Sequence, residues 1–126
     1  MPVAARMVLE TSATLITLGG LYDVFVPRLP SHLMVLCGED GRIAGLVREL
    51  LRALGGSLVA IGVVAGILAA GAPTRTHLTL ILLLVLPSEG INAFCMRRAG
   101  SPFYIPLSFA LLTVLGVLLA WPGSPR

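Results

Sequence analysis

The chain has 126 residues, of which 56% are hydrophobic and only 12% charged, and its mean hydropathy is +0.96. An ordinary soluble domain carries about a quarter charged residues, so this composition excludes one, and the length admits a single domain. The formal charge of +3 rests on nine basic residues, all arginine; in so apolar a chain, such charge marks a cytoplasmic rim and lipid headgroups rather than a nucleic-acid partner.

The first apolar run predicts a membrane span over residues 7–26. Arg6 precedes it, but Glu10 interrupts its start and no small-residue cleavage site follows, so it reads as a retained span and not a signal peptide. Pro27 and Pro30 stop it, because proline cannot continue the helical ladder. Glu10, Thr14 and Thr17 fall at i, i+4 and i+7 and share one face, where hydroxyls bond their own helix or a neighbour. Glu10 is also four residues after Arg6, the spacing of a terminal ion pair.

Residues 28–49 form the longest connection. SHLMVLC within it is too short to cross a bilayer, which takes about 20 residues, and is expected at the interface. Glu39 and Asp40 precede the next helix, where acids suit the positive end of its dipole. That helix, from Gly41 to Ala70, would run about 45 Å against a hydrocarbon core of about 30 Å. Its first part is amphipathic, with Arg42, Arg48, Glu49 and Arg52; its second part is the span, residues 50–70. Gly55, Gly62 and Gly66 lie with Arg48 and Arg52 on nearly one face. Gly62 and Gly66 make a GxxxG, which lets another helix approach closely, and packing within the chain is its expected use.

A turn at Gly71-Ala72-Pro73 leads to a third span over 76–96, and RRAGSP leads to a fourth over 103–121, with Tyr104 and Trp121 as interfacial aromatics. Pro122, Gly123 and Pro125 end it. The expected fold is therefore an all-α integral membrane four-helix bundle, up-down-up-down, in one domain spanning 1–126. Arg28, Arg42, Arg48, Arg52, Arg97 and Arg98 belong to the first and third connections; Arg6, Arg75 and Arg126 belong to the other side. The positive-inside rule puts those two connections in the cytoplasm and both termini outside, in a bacterial inner membrane.

The third span is the unusual one. In ILLLVLPSEGINAFCMRR, Pro87, Ser88, Glu89, Gly90 and Asn92 stand where hydrocarbon should continue. An ionisable residue at such depth faces protein or a water-filled cavity and calls for a partner. Glu89 lies about 12 Å inside the end marked by Arg97. Arg52 on the antiparallel second helix would sit about 8–9 Å away along the axis, within reach of a long side chain. The expected link is Arg52 with Glu89, with Arg48 or Tyr22 as substitutes and Asn92 on the same face. Three uses are open: a bridge that fixes helix register; a pocket formed by Glu89, Ser88 and Asn92, with Arg52 as counter-charge, for a lipophilic molecule with one polar end; and a proton relay, which needs more deep ionisable groups than Glu89 alone.

Other chemistry is not signalled. His32 and His77 belong to opposite ends and read as interfacial residues. Cys37 and Cys95 are far apart, with no CxxC and no His/Cys cluster, so neither a metal set nor a disulfide is indicated. GxSxG, P-loop, HExxH and GxGxxG motifs are missing, and no cofactor is expected.

The layout of RELLRALGGSLVAIGVVAGILA, a turn, LLVLPSEGINAF and an aliphatic last span resembles the small DoxX-like four-span membrane proteins over about residues 47–119. In that group an arginine opens the second helix ahead of a glycine-rich run, matched here by Arg52, Gly55, Gly56 and Gly62. A polar position late in the third helix is matched by Glu89. More distantly the layout is similar to the four-span scaffold protein of ergosterol biosynthesis. The resemblance implies a fold more than an activity, with members attached to larger membrane enzymes. The expected role is a non-catalytic accessory subunit of a larger bacterial membrane complex, with membrane lipids and other transmembrane subunits as partners. The alternative is a protein that binds or isomerises a lipid, quinone or isoprenoid by means of the intramembrane carboxylate.

Overall fold

The computed structural model describes residues 1–123. Pro125 and Arg126, assigned above to the chain's ending and its outer side, lie outside the described residues. Among the described residues the chain is all helical, without strands: α1 Val3–Phe25, α2 Ser31–Cys37, α3 Gly41–Ala69, α4 Arg75–Arg98 and α5 Tyr104–Ala120.

The ends of these helices follow from local chemistry. Asp40 caps α3, its carboxylate accepting the Arg42 N–H at 2.9 Å and satisfying a donor that the first turn leaves free. Thr74 caps α4 in a reciprocal box: the Thr74 hydroxyl accepts the His77 N–H, and His77 Nδ1 accepts the Thr74 N–H. At the other end of α4, Gly100 adopts φ 72° and closes a Schellman motif. Ser101 N–H donates to Met96 O at 2.8 Å and Gly100 N–H to Arg97 O at 3.2 Å. Pro106 falls in the first turn of α5, where its missing N–H costs nothing. Pro87 is different, because it lies within α4 and leaves the Leu83 carbonyl without its usual donor.

Packing sets α1 against both α3 and α5, α4 against α5 and α3, and α2 against α3. The helices α1 and α4 make no close backbone approach and lie across from each other. The core between them holds Ile16, Leu58, Leu78, Ile81, Val85 and Val117, with a buried hydroxyl pair, Ser12 and Thr113, 2.7 Å apart, joining α1 to α5.

The α1–α3 seam runs backbone against backbone. A Cβ built on Gly55 would meet Gly20 O and Val24 N, and one on Gly62 would lie 2.8 Å from Thr17 N and 2.9 Å from Ala13 O. Only glycine permits this approach, and the ascending order on α1 against the descending order on α3 makes the two helices antiparallel. Gly66 is not part of the tight contact; a Cβ there would sit at an ordinary 3.6 Å from Ala13 Cβ.

Two helices, α3 and α4, are long and apolar enough to cross a membrane. Only 22% of the most apolar stretch of each is buried, so their apolar side chains point mainly outward rather than into a core. The helix α5 is apolar but has 17 residues, and α1 is interrupted by Glu10, Ser12, three threonines and Asp23. Large apolar residues such as Phe25, Val35, Ile67, Leu83 and Leu118 stand exposed on every helix.

Candidate functional site

One end of the molecule is not filled. There the C-terminal part of α1, the start of α2, the first half of α3, the C-terminal part of α4 and the start of α5 enclose a cavity of about 670 Å³. That is within the range of about 300–1,000 Å³ typical of small-molecule sites. Because the backbones of α1 and α4 make no close approach, only side chains can close the space between them, and at this end they leave it open.

The walls are mainly hydrocarbon. Leu50, Leu51, Leu54 and Leu58 of α3 form one side, and Ile105, Pro106 and Phe109 of α5 form another. Successive turns of α3 supply the leucines at helical spacing, and Pro106 sits one turn before Phe109. The polar groups are few: Tyr22 and Asp23 from α1, His32 from α2, Glu89, Asn92 and Cys95 from α4, and Ser101 from the α4–α5 turn.

Glu89 is the outlier among them. It is 1% exposed, and its Oε1 has no hydrogen-bond partner among the described residues. A buried polar group left unpaired costs about 1–3 kcal/mol and more when charged, so an unpaired one is uncommon and calls for an explanation. Asn92, one turn further along α4, lines the same cavity. Ser88 does not, since it lies on a different face of α4 from Glu89.

The link expected between Arg52 and Glu89 is not formed. Arg52 Nη1 donates instead to Glu49 Oε1 at 2.8 Å, on the half-exposed outer face of α3, and Arg52 does not line the cavity. The physical reason is local: a carboxylate three residues away on the same helix is reached without dragging the guanidinium into hydrocarbon. Of the two substitutes, Tyr22 lines the cavity and Arg48 does not, its buried Nε having no partner of its own. Gly55 and Gly62 act in the α1–α3 seam, and His77 is engaged in the cap at the far end of α4.

Asp23 is the residue that the sequence reading passed over. It lines the same cavity as Glu89, so two carboxyl groups on different helices face one largely apolar space. Its Cβ lies where a side chain on Gly55 would go, so the glycine makes room for the acid. A signal was available, because Asp23 falls in the last turn of α1, where the helix dipole favours cations and disfavours a carboxylate. Such a misfit marks a side chain placed for something other than helix stability.

No family model, curated protein or solved structure matches the chain. The function must therefore be argued from the cavity itself.

Proposed function

We propose that this chain is a small four-span membrane protein that binds a lipophilic molecule by its polar end in the cavity beside Glu89. The observation that carries the reading is a carboxylate, 1% exposed and with an unpartnered oxygen, in an otherwise apolar chamber of about 670 Å³. A bound hydrogen-bond donor would satisfy that oxygen, and the leucine-rich walls would take up an apolar body at about 25 cal/mol per Å² of surface removed from water. In this reading α1, α3, α4 and α5 are the four spans of an up-down-up-down bundle. The arginine-rich end holding the cavity faces the cytoplasm of a bacterium, and both termini face outside. The outward apolar faces of α3 and α4 support it, because a soluble protein would turn them inward. The DoxX-like layout fits the same fold, although its matching arginine, Arg52, stands outside the cavity.

The test is purification of the full chain in a mild detergent and mass spectrometry of the molecules that remain bound, with wild type beside Glu89→Gln. One apolar molecule retained per wild-type chain and lost from the variant is the expected result. Equal retention by a folded variant refutes the assignment of Glu89.

A second reading, the accessory subunit, draws on a different place. A shallow groove of about 410 Å³ on the outer α1–α3 surface is lined by Glu10, Leu18 and Val63 and by small residues, among them Ala13, Gly62 and Gly66, of the kind that admit a partner transmembrane helix. Its hydroxyls already bond within α1, Thr14 to Glu10 O and Thr17 to Ala13 O, so the groove has less unmet demand than the cavity. Stoichiometric co-purification of a larger membrane complex is the outcome that would favour it.

A further inference from the structure

The cavity is as distinctive in its charge as in its shape. Two carboxylates line it, Asp23 and Glu89, and no arginine does. The nearby arginines point elsewhere: Arg52 pairs with Glu49, Arg97 lies over the Phe103 ring and Arg98 over the Phe94 ring, each guanidinium 5.8 Å from its ring centroid. His32, the remaining basic side chain of the lining, is on the exposed surface of α2. Arg48, whose buried Nε has no partner, also stays off the wall, so no arginine of the lining offsets the two acids and His32 is its one basic side chain.

Resting on the reading that the cavity holds a lipophilic molecule, we infer that its ligands are amphiphilic amines, bound as ammonium ions with the head between Asp23 and Glu89. An ammonium N–H donates to the orphaned Oε1 of Glu89 in a charge-assisted hydrogen bond, and its charge serves the Asp23 carboxylate on the same cavity wall as well. Phe109 and Tyr22 line the same cavity, where aromatic rings favour a cation, and the α3 leucines receive the tail. The other headgroup classes fit less well. An anion adds negative charge beside two carboxyl groups, and a neutral alcohol or quinol satisfies one oxygen without bringing a charge to either acid. A bare metal ion lacks a donor set, since no group of three or more His, Cys, Asp or Glu side chains converges among the described residues.

The experiment titrates the purified full chain, in a nonionic maltoside detergent near neutral pH, with dodecylamine, dodecanol and dodecanoate. Binding is read by native mass spectrometry and by the shift in unfolding temperature. Three probes of equal tail length separate headgroup charge from apolar burial. The expected result is one dodecylamine per chain, bound at least about tenfold more tightly than dodecanol, with no adduct of dodecanoate. Asp23→Asn, which keeps the shape of the cavity, should bring the amine close to the alcohol, and Glu89→Gln should abolish amine binding. Dodecanol equal to dodecylamine, or amine affinity unchanged in folded Asp23→Asn, overturns the charge selectivity while leaving a lipophilic site in place. Failure of all three probes to bind overturns the site as well.

Discussion

The two ends of the molecule treat their acids in opposite ways. Near the start of α1, Glu10 lies on the surface and takes the Arg6 guanidinium at 2.7 Å, a pair made within one turn of one helix. At the other end, Glu89 is buried with an unpartnered oxygen, and Asp23 of a different helix shares its cavity. The packing divides in the same way. Around Gly62 the backbones of α1 and α3 touch, whereas around Glu89 the helices leave about 670 Å³ open. The α1–α3 seam stays closed as far as Gly20 and Gly55 at the cavity end, so the open space lies on the α4 side of α1, where an acid is left without a partner for one oxygen.

The division can be broken most sharply by deleting hydrocarbon from each end in turn. Leu78 is 0% exposed in the tight core, and Leu78→Ala should cost about 2–5 kcal/mol, the usual range for a cavity cut into close packing. Leu54 already faces open space, so Leu54→Ala should cost under about 1 kcal/mol, because no filled volume is lost. Thermal unfolding in detergent compares the two directly, and equal losses would mean that the cavity end is as closely packed as the core.

Next in size is the glycine seam. Gly62→Ala forces a methyl against Thr17 N and Ala13 O, both under 3 Å, and should destabilise by about 1–3 kcal/mol as the backbones part. Gly66→Ala meets its neighbour at an ordinary distance and should be neutral or slightly stabilising, since alanine is the better helix former by about 1 kcal/mol. The same measurement separates them.

The local features could be read from the chain directly. The acid at the start of α3, the turn at RRAGSP and the pairing of Glu10 with Arg6 are decided within a few residues and were legible, while the equally local Thr74 cap went unread. Glu89 and Asn92 stood out for the same reason, as polar residues in an apolar run. The α1–α3 seam was only half visible. A GxxxG pattern names Gly62 and Gly66, but the tight contacts use Gly20, Gly55 and Gly62, because a helix crossing at an angle selects its own register. The Arg52 link failed through an axial estimate that ignored competition from Glu49 on the same helix. Asp23 was missed because its meaning depends on which helices meet at that end, a long-range fact that no window of the sequence contains.

Glu89→Met separates two of the three uses open for Glu89, the register bridge and the pocket, by the sign of an effect. If it fixed helix register through an ion pair, truncation would strand a charge and destabilise the protein. With no cation paired to it, Glu89→Met should instead stabilise by about 1–3 kcal/mol, the penalty of an unsatisfied buried oxygen removed, while ligand binding is lost. A lower unfolding temperature for the variant, measured without added amphiphile, would restore the register bridge.

The smallest expected effect isolates Arg52. Its pair with Glu49 is half-exposed, and such pairs contribute from nothing to about 1 kcal/mol, so Arg52→Ala should barely move the unfolding temperature. It should leave binding of a lipophilic probe unchanged too, because the guanidinium is not part of the cavity wall. Combining Arg52→Ala with Glu89→Met turns this into a double-mutant cycle, whose coupling energy should be close to zero for residues that share no contact. A coupling above about 0.5 kcal/mol would mean that Arg52 leaves Glu49 and reaches the cavity, joining the two regions that the fold keeps apart.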